Sequence, residues 1–417
     1  MTAFLLEYAA QLLRWLHVVA AIAWIGESFY FVALDRGLQK PQSPGPGLHG
    51  ESWSVHGGGF YLKQKFLPAP PQLPETLHWS KWKSYTTWLS GAALFTLIYL
   101  ASPSIWLIDP AVAALTPAQA VALAIAFPVA GWLVYDALCR LVGFRDGLLG
   151  ALVALGVVGL CWATTQWFAG RAAFLLTGAT LATIMSANVF FVIIPGQKRL
   201  VAALQQGLAP NPLDGARGKQ RSVHNTYFTL PVVFAMLAIH FGGAFAHPYN
   251  WAILAGFMAA GALIRQFFVL WHSGARAWGL LASGAVLLAL LGIALAPWPQ
   301  RASEPRPGPD VPANTSPADT ATGAATGSEP ALPATPDTAW VQGLLARHCT
   351  GCHSAKPTLM PIAPKNTMFD TAAQIEQHAA LIHQQAAVLK IMPPGNLSGM
   401  TEAEREALGR WFAARGR

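Results

Sequence analysis

The residues most able to do chemistry stand near the end of the chain, where Cys349, Cys352 and His353 follow one another within five positions. Two cysteines separated by two residues and followed at once by a histidine form the attachment pattern of c-type haem. Each thiol can form a thioether with one haem vinyl group, and the imidazole can then bind the iron. A zinc half-site, a redox thiol pair and a disulfide are the alternatives. Zinc needs a second ligand pair, and Cys139 and Cys161 lie far upstream in apolar stretches.

A methionine could occupy the position opposite His353 on the iron, where a thioether raises the potential of the haem. Met392 lies in the proline-rich run Ile-Met-Pro-Pro-Gly-Asn, at a plausible distance along the chain from the cysteines. We therefore predict Met392 as the sixth ligand. Met360, Met368 and Met400 are the competing candidates, because a methionine can equally fill a core.

The composition indicates a membrane protein. Of 417 residues, 53% are hydrophobic and 11% are charged, and the mean hydropathy is +0.39. Soluble domains carry about a quarter charged residues. The net charge of +8 could suggest nucleic acid as a partner. The basic residues instead concentrate in alternate loops, so we expect a lipid bilayer and no nucleic acid. No cleavable signal peptide is expected, since the first apolar run lacks a basic leader.

Eight apolar runs are long enough, at about 20 residues each, to cross the bilayer as helices. The predicted fold is all-α: a polytopic membrane helix bundle of about eight transmembrane helices, plus a small α-helical class I cytochrome c domain. The predicted spans are 9–34, 84–103, 117–138, 148–168, 172–195, 226–246, 250–272 and 278–297.

Basic residues in the odd-numbered loops predict the orientation, because such residues favour the cytoplasmic side. The second and sixth loops contain none, and the fourth contains only Arg171. Both termini and the haem motif are therefore predicted outside the cytoplasm, where c-type haem is attached. The basic residues of the odd loops are Arg36, Lys40, Lys63, Lys65, Lys81, Lys83, Arg140, Arg145, Lys198, Arg199, Arg217, Lys219, Arg221 and Arg276.

Three parts follow from these patterns: a membrane domain over residues 1–298, a linker over 299–336 and a cytochrome c domain over 337–417. The linker is rich in Pro, Ala, Thr, Ser and Gly and cannot bury a core, so we expect it to be disordered. The last part should begin with a helix over 338–347. It should end in a helix that a capping box at Thr401 opens.

Polar residues inside membrane spans are costly and are therefore candidates for function. His17 and His240 fall at matched depth towards the outer face. Two such imidazoles would suit a b-type haem. The alternatives are two unrelated histidines, each bonded to a neighbouring backbone or hydroxyl group, and a copper site.

A second polar set falls towards the cytoplasmic face. Its members could pair with one another and hold helices together. They could instead line a cavity in which Glu27, His224 and Arg265 supply an acid, a base and a cation for a planar anionic substrate. The other members are Asp136, Asn188, Asn225 and His272.

Four stretches together resemble a known family. They are residues 16–27 (LHVVAAIAWIGE), the region from His56 through 79–83 (WSKWK) to Gly91, residues 222–227 (SVHNTY), and the haem motif with residues 392–395 (MPPG). In these stretches the chain resembles the membrane-bound urate hydroxylases of the PuuD type, in which a membrane domain is fused to a cytochrome c. The resemblance implies oxidation of urate to 5-hydroxyisourate in purine breakdown.

The resemblance also implies where the electrons go. They would pass to the fused haem c and on to respiratory-chain electron acceptors, in a bacterial inner membrane with the cytochrome in the periplasm. Because the apolar slab is about 30 Å thick, a relay near His17 and His240 is expected. A quinol-to-cytochrome electron carrier is the alternative function. A purine transporter with a redox sensor is a third, which internal repeats would favour.

Overall fold

The computed structural model of the protein describes residues 2–296, 333, 336–360, 363–364 and 367–415. Within these residues the regular secondary structure is almost entirely helical, and one β-hairpin forms the only sheet. The predicted all-α class is therefore confirmed. Long helices suit the apolar spans because a helix satisfies its own backbone hydrogen bonds, which a bilayer cannot do. The predicted linker 299–336 lies outside the described residues, apart from positions 333 and 336.

The N-terminal part folds as a bundle. Wider, π-helical turns extend α2 over Thr96–Leu100 and join α6 to α7 over Asn188–Ile193, and a 3₁₀ turn over Ala238–His240 follows α8. The elements in chain order are α1 (Thr2–Arg36), β1 (Leu48–His56), β2 (Gly59–Phe66), α2 (Trp82–Phe95), α3 (Pro103–Trp106), α4 (Pro117–Val142), α5 (Asp146–Trp167), α6 (Gly170–Ala187), α7 (Ile194–Gln205), α8 (Pro212–Leu237), α9 (Gly242–Phe245), α10 (Asn250–His272) and α11 (Trp278–Leu295).

Seven segments of the described chain are long and apolar enough to cross a membrane, whereas eight spans were predicted. The difference is the predicted span 84–103. Its helix α2 buries the hydroxyl residues Ser84, Thr87 and Ser90, which lower the hydropathy of this segment. The seven are Leu5–Arg36, Pro117–Val142, Asp146–Trp167, Gly170–Gln205, Pro212–His240, Asn250–His272 and Trp278–Leu295.

Although it is less apolar, α2 runs antiparallel along α1. Lys83 lies beside Glu27 near one end of the pair, with Nζ 2.7 Å from Oε1. Further along, the carbonyl oxygen of Thr87 lies 2.9 Å from His17 Nδ1. With its π-helical turn, α2 is helical over residues 82–100, which corresponds to about 28 Å at the rise of an α-helix. The second loop therefore lies at the same end of the bundle as the start of α1.

The boundaries around the predicted fifth loop were wrong. Helix α7 continues to Gln205 and α8 already begins at Pro212, so only residues 206–211 connect them. Arg221, which the pattern placed in the loop, lies inside α8 and is buried. Its Nη2 donates to Asp136 Oδ1 at 2.6 Å. A buried pair of this kind makes an arginine compatible with the helix interior, and residue counting alone cannot reveal it.

The first loop contains a β-hairpin that the sequence patterns did not predict. Strand β1 pairs antiparallel with β2, with Trp53 opposite Leu62. Gly57 and Gly58 form the turn with φ values of +58° and +80°. Two adjacent glycines with positive φ are what a two-residue hairpin turn requires. Gly57 and Gly58 are therefore the sequence signal of this turn.

Helix α6 lies at the centre of the bundle, where most of its residues are buried. Small residues allow close packing around it. A Cβ at Gly178 would lie 2.8 Å from the Cβ of Ala235 on α8. Such close contacts between helices are typical of membrane bundles, where packing replaces the hydrophobic effect between segments. The bundle is therefore tightly packed at its centre.

The C-terminal part has a hydrophobic core of its own, in which Leu344, Ile375 and Leu408 are fully buried. The helix predicted over 338–347 is confirmed as α12 (Thr338–His348), and the capping box at Thr401 is confirmed at the start of the last helix. The remaining elements are α13 (Ala372–Gln377), α14 (Ala379–Ile382), a π-helical turn (His383–Val388), a 3₁₀ turn (Pro394–Asn396) and α15 (Glu402–Ala414).

The C-terminal part rests on the end of the bundle formed by the second and sixth loops. Gly395, with a φ of +56°, lies so close to Ile108 that a Cβ would overlap the Ile108 carbonyl oxygen. At a second contact, a Cβ at Gly242 would lie 3.1 Å from side-chain carbons of Ile391 and Leu389. The haem motif is thus carried at the end of the bundle where the second and sixth loops lie, and neither of these two loops contains lysine or arginine.

Candidate functional site

The haem motif begins where α12 ends, and the local backbone positions all three predicted residues. Cys349 and Cys352 follow the last turn of the helix as free thiols. The Nδ1 of His353 lies 2.9 Å from the carbonyl oxygen of Thr367. A hydrogen bond from Nδ1 to a backbone carbonyl is typical of histidines that bind a metal through Nε2, because it fixes the ring orientation. The residues therefore fit a haem.

The two thiols differ from those of a thiol–disulfide enzyme. Burial raises the pKa of Cys349 to about 12 and also raises the pKa of Cys352. Catalytic redox cysteines instead have lowered pKa values, because a nearby positive charge or helix N-terminus stabilises the thiolate. Burial also lowers the pKa of His353. The segment is therefore an apolar slot with neutral side chains.

Met392 and Met360 both line the cavity that contains the two cysteines and His353. Met400 is 2% exposed and belongs to the core. The loop that bears Met392 is held by Arg405, whose Nη1 donates to the Met392 carbonyl oxygen at 2.8 Å. The Nη2 of the same arginine donates to Asn396 Oδ1 at 3.0 Å. Met392 stays the predicted sixth ligand, with Met360 as its competitor.

The cavity of the haem motif continues into the membrane bundle. Its volume is about 2090 Å³, and its walls reach from Cys349 to Trp24, Met185 and Thr229 in the middle of the bundle. A usual ligand site occupies roughly 300–1,000 Å³. The cavity therefore has room for more than one large ligand.

Both outer histidines, His17 and His240, line this cavity. His17 Nδ1 lies 2.9 Å from the Thr87 carbonyl oxygen and 3.1 Å from Ser90 Oγ. These contacts agree in part with the alternative of a histidine bonded to neighbouring backbone and hydroxyl groups. They involve only Nδ1, so Nε2 is not used by them. Among the described residues, no group of three or more His, Cys, Asp or Glu side chains could hold a metal ion. A copper site held by two histidines is not tested by this and stays an alternative.

Towards the other end of the bundle, Arg265 on α10 is buried, with 3% of its surface exposed. Its guanidinium lies 3.8 Å from the ring centroid of Phe29 on α1. Among the described residues, neither Nε nor Nη2 of Arg265 has a hydrogen-bond partner. Next to it, the Tyr227 hydroxyl on α8 donates to the side-chain oxygen of Gln266. A charged fork with two unsatisfied donors inside a helix bundle is costly unless a ligand completes it.

Glu27, the predicted acid, lies on another side of α1. Its carboxylate accepts hydrogen bonds from Ser80 and Lys83 at the start of α2. The pair ties α1 to α2. No hydrogen bond or ion pair in the described chain joins Glu27 to Arg265.

His224, the predicted base, belongs to a third group of polar residues between α4, α6 and α8. Its Nδ1 lies 2.7 Å from the Tyr135 hydroxyl. Asn188 Nδ2 donates to Tyr135 at 3.3 Å and to Asn225 at 2.8 Å. The polar set towards the cytoplasmic face is thus divided into three neighbouring groups. The catalytic roles of Glu27 and His224 stay predictions.

Several residues at these sites were not singled out by sequence reasoning. Phe29, Tyr227 and Gln266 surround Arg265, and Arg14 and Arg171 line the outer cavity. Phe29 and Tyr227 resemble ordinary core aromatics in an apolar run. Their positions in the sequence could have indicated a role: Phe29 follows residues 16–27 by two positions, and Tyr227 follows His224 by three.

The described chain is an all-α bundle whose seven long apolar segments are compatible with a multi-pass membrane protein. The chain belongs to the urate oxidase N-terminal family, which matches residues 3–296. No curated protein and no solved structure matches the chain. The match makes the chain a urate oxidase-related protein and confirms the predicted resemblance for the membrane part. The cytochrome and its haem lie beyond the matched residues and stay predictions.

Proposed function

We propose that the protein oxidises urate to 5-hydroxyisourate and passes the electrons to a haem c covalently bound in the C-terminal part. Family membership supports a urate-related oxidoreductase. The observation that carries the substrate assignment is Arg265, a buried guanidinium with two unsatisfied N–H donors. These donors call for an anionic ligand with adjacent acceptors.

Urate can supply the negative charge and the hydrogen-bond acceptors that the Arg265 guanidinium lacks. It is a planar anion at neutral pH, and its edge carries neighbouring oxygen and nitrogen acceptors. The guanidinium can donate two parallel hydrogen bonds to such an edge. Phe29 beneath the guanidinium holds the fork in place, and the Tyr227–Gln266 pair supplies further polar groups close by.

The reaction balances with water as the oxygen source. Urate loses two electrons and two protons, and the oxygen of one water forms the new bond at C5. Proton acceptors are therefore needed near the substrate. Glu27 is paired with Lys83, whereas His224 has one ring nitrogen beyond its contact with Tyr135. We propose that His224 is the main proton acceptor and that Glu27 is a second proton acceptor.

The residues of the C-terminal slot would hold the electron acceptor. Cys349 and Cys352 would bind the haem covalently, and His353 and Met392 would bind its iron. A haem held there would supply one-electron transfer towards respiratory-chain electron acceptors. In this proposal the protein lies in a bacterial inner membrane with the C-terminal part in the periplasm. A quinol-to-cytochrome carrier would leave the buried guanidinium of Arg265 without a ligand.

The test is anaerobic addition of urate to the purified oxidised protein while the α band of haem c is followed. We expect urate to reduce the haem and xanthine to leave it oxidised. His353→Ala should abolish the haem signal. Arg265→Ala should keep the haem, respond to dithionite and lose the response to urate. A protein whose haem stays oxidised with excess urate but is reduced by a quinol would contradict the proposal.

A further inference from the structure

We infer that the membrane bundle contains a second, non-covalent haem, held by His17 and His240 in the part of the cavity that lies inside the bundle. The site is independent of the proposed substrate, but its role as a relay rests on the proposed function. It follows from the ring geometry of the two histidines, the room between the helices and the charges at the outer rim.

His17 is oriented as a haem ligand would be. Its Nδ1 is engaged by the Thr87 carbonyl oxygen, which leaves Nε2 as the ligating nitrogen. Gly91 on α2 makes room for the ring, because a Cβ there would lie 2.9 Å from His17 Cε1. Thr87 and Gly91 of α2 thus position the His17 imidazole at the cavity wall.

His240 lines the same cavity from a later part of the chain. It ends the 3₁₀ turn after α8, where the helix stops before Phe241. Within the described residues its ring forms no hydrogen bond. An imidazole that lines a cavity without a partner can bind iron through either nitrogen.

The cavity walls inside the bundle suit a large, flat and apolar ligand. They are built from small residues and a few larger apolar ones, among them Ala21, Ala92, Phe95, Ala179, Val233 and Met236. A haem c in the outer slot would leave much of the roughly 2090 Å³ unfilled.

Two arginines complete the site at its outer rim. Arg14, three residues before His17 on α1, and Arg171 in the first turn of α6 both line the cavity. Arg171 also packs against the Phe245 ring at 5.3 Å. Haem carries two carboxylate groups, and arginine is the side chain best suited to bind them. A quinone, the other large flat ligand, has no such anionic groups.

A second haem also fits the electron count. Urate gives up two electrons, whereas each haem iron takes one as it passes from ferric to ferrous. With one haem per chain, a single urate must serve two chains or wait for reoxidation. With two haems, both electrons of one urate are taken up within the chain.

The experiment measures haem in the purified full-length protein, with dithionite as the reductant and no urate. Acid acetone extracts non-covalent haem and leaves haem c on the chain. We expect equal amounts of extractable and covalent haem, with a b-type α band in the reduced-minus-oxidised spectrum. A protein with covalent haem only, as purified and after incubation with hemin, would overturn the inference. So would a bound quinone without a second haem.

Variants then test the ligands. His17→Ala and His240→Ala should each lose most of the extractable haem and retain haem c. His247→Ala is the matched control, since His247 lies on the same connection, outside the cavity, and should retain both haems. His240→Met should keep the extractable haem and raise its midpoint potential, because a thioether favours the ferrous state. Unchanged spectra and haem content in all the His17 and His240 variants would refute the assignment.

The outcomes separate this inference from the proposed function. Covalent haem alone that urate still reduces would refute the second site only. Two haems that dithionite reduces and urate does not would refute the proposed function only. An anaerobic titration adds a further measure: with two haems, one urate per chain should complete the reduction, and with haem c alone half as much should suffice.

Discussion

Two buried arginines of the bundle differ in what surrounds them. Arg221 is paired with Asp136 and bonded to Asn188. Arg265 has only the face of Phe29, and two of its nitrogens stay unsatisfied. Burying a charge costs several kcal/mol unless partners replace water. The first arginine therefore stabilises the fold, whereas the second stores a cost that ligand binding can recover.

Opposite effects on stability are predicted for the two residues. Arg221→Leu should lower the free energy of unfolding by about 3–5 kcal/mol, because Asp136 loses its buried partner. Arg265→Leu should leave the stability unchanged or raise it. The same variant should weaken urate-driven haem reduction on the order of 10- to 100-fold, the range expected for charge-assisted hydrogen bonds.

Thermal unfolding in detergent, followed by tryptophan fluorescence, measures the first effect, and the urate concentration for half-maximal reduction measures the second. Arg140→Gln is the control, because its side chain is 76% exposed. A strong loss of stability in Arg265→Leu would show that Arg265 is a structural residue.

At the scale of elements, the start of α15 ties the C-terminal part together through one carboxylate. Glu404 accepts from the Thr401 backbone N–H in the capping box at 2.9 Å, and Arg347 and His348 of α12 lie at 3.1 and 3.3 Å. Burial alone would raise the pKa of Glu404, but these partners outweigh it and hold the pKa below its ordinary value. The helix pair is therefore acid-sensitive.

The sign of this effect follows from linkage. Because the pKa of Glu404 is lower in the folded protein, its contribution is complete above the unfolded value, about 4.3, and is lost as the pH falls through the folded pKa. Glu404→Gln should therefore unfold at a lower urea concentration than the wild type at pH 7. The difference should close in strong acid. Haem absorbance follows the unfolding, and Glu406→Gln on the exposed side of α15 is the control.

Contact between the two parts depends on Gly395, which lies against the Ile108 carbonyl. Gly395→Ala should separate the loop from the bundle and slow urate-driven reduction of haem c several-fold, with dithionite reduction complete. Gly399→Ala is a matched control: Gly399 also has a positive φ, +68°, but no atom lies within 4 Å of its Cβ position. Equal slowing in both variants would assign the effect to backbone strain.

Sequence patterns predicted the elements better than their boundaries and partners. Apolar length was sufficient for α4, α5, α10 and α11, because the bilayer sets it. At α2 the predicted helix is present, but its buried hydroxyl residues make it less apolar than the seven candidate spans. Apolar length placed Arg221 in a loop, since only the partner Asp136 on another helix permits burial. The Arg265–Phe29 contact was beyond reach for the same reason: it joins two helices far apart in the chain.

For the whole molecule, the C-terminal part lies at the end of the bundle that carries the second and sixth loops. The opposite end carries Arg199 and Arg217, so these two arginines and the haem motif are separated by the length of the bundle. This arrangement is what the bias of basic loops towards the cytoplasm predicts.

Reporter fusions test the orientation. Alkaline phosphatase, which is active only outside the cytoplasm, should be active after residue 415 and inactive after residue 209. Green fluorescent protein at the same positions should give the reverse pattern. Alkaline phosphatase activity after residue 209 would place the Arg265 end outside and contradict the proposed topology.

Arg405 holds two neighbouring points of one loop, the Met392 carbonyl and the Asn396 side chain. The second point adjoins Gly395, which rests on the bundle. The loop of Met392, the predicted sixth ligand, is thus held by the same arginine that adjoins the contact between the two parts. When the C-terminal part separates from the bundle, Arg405 alone still holds the Met392 loop. Added cyanide should then displace Met392 from the iron faster. The rate of cyanide binding would then measure how often the C-terminal part dissociates from the bundle.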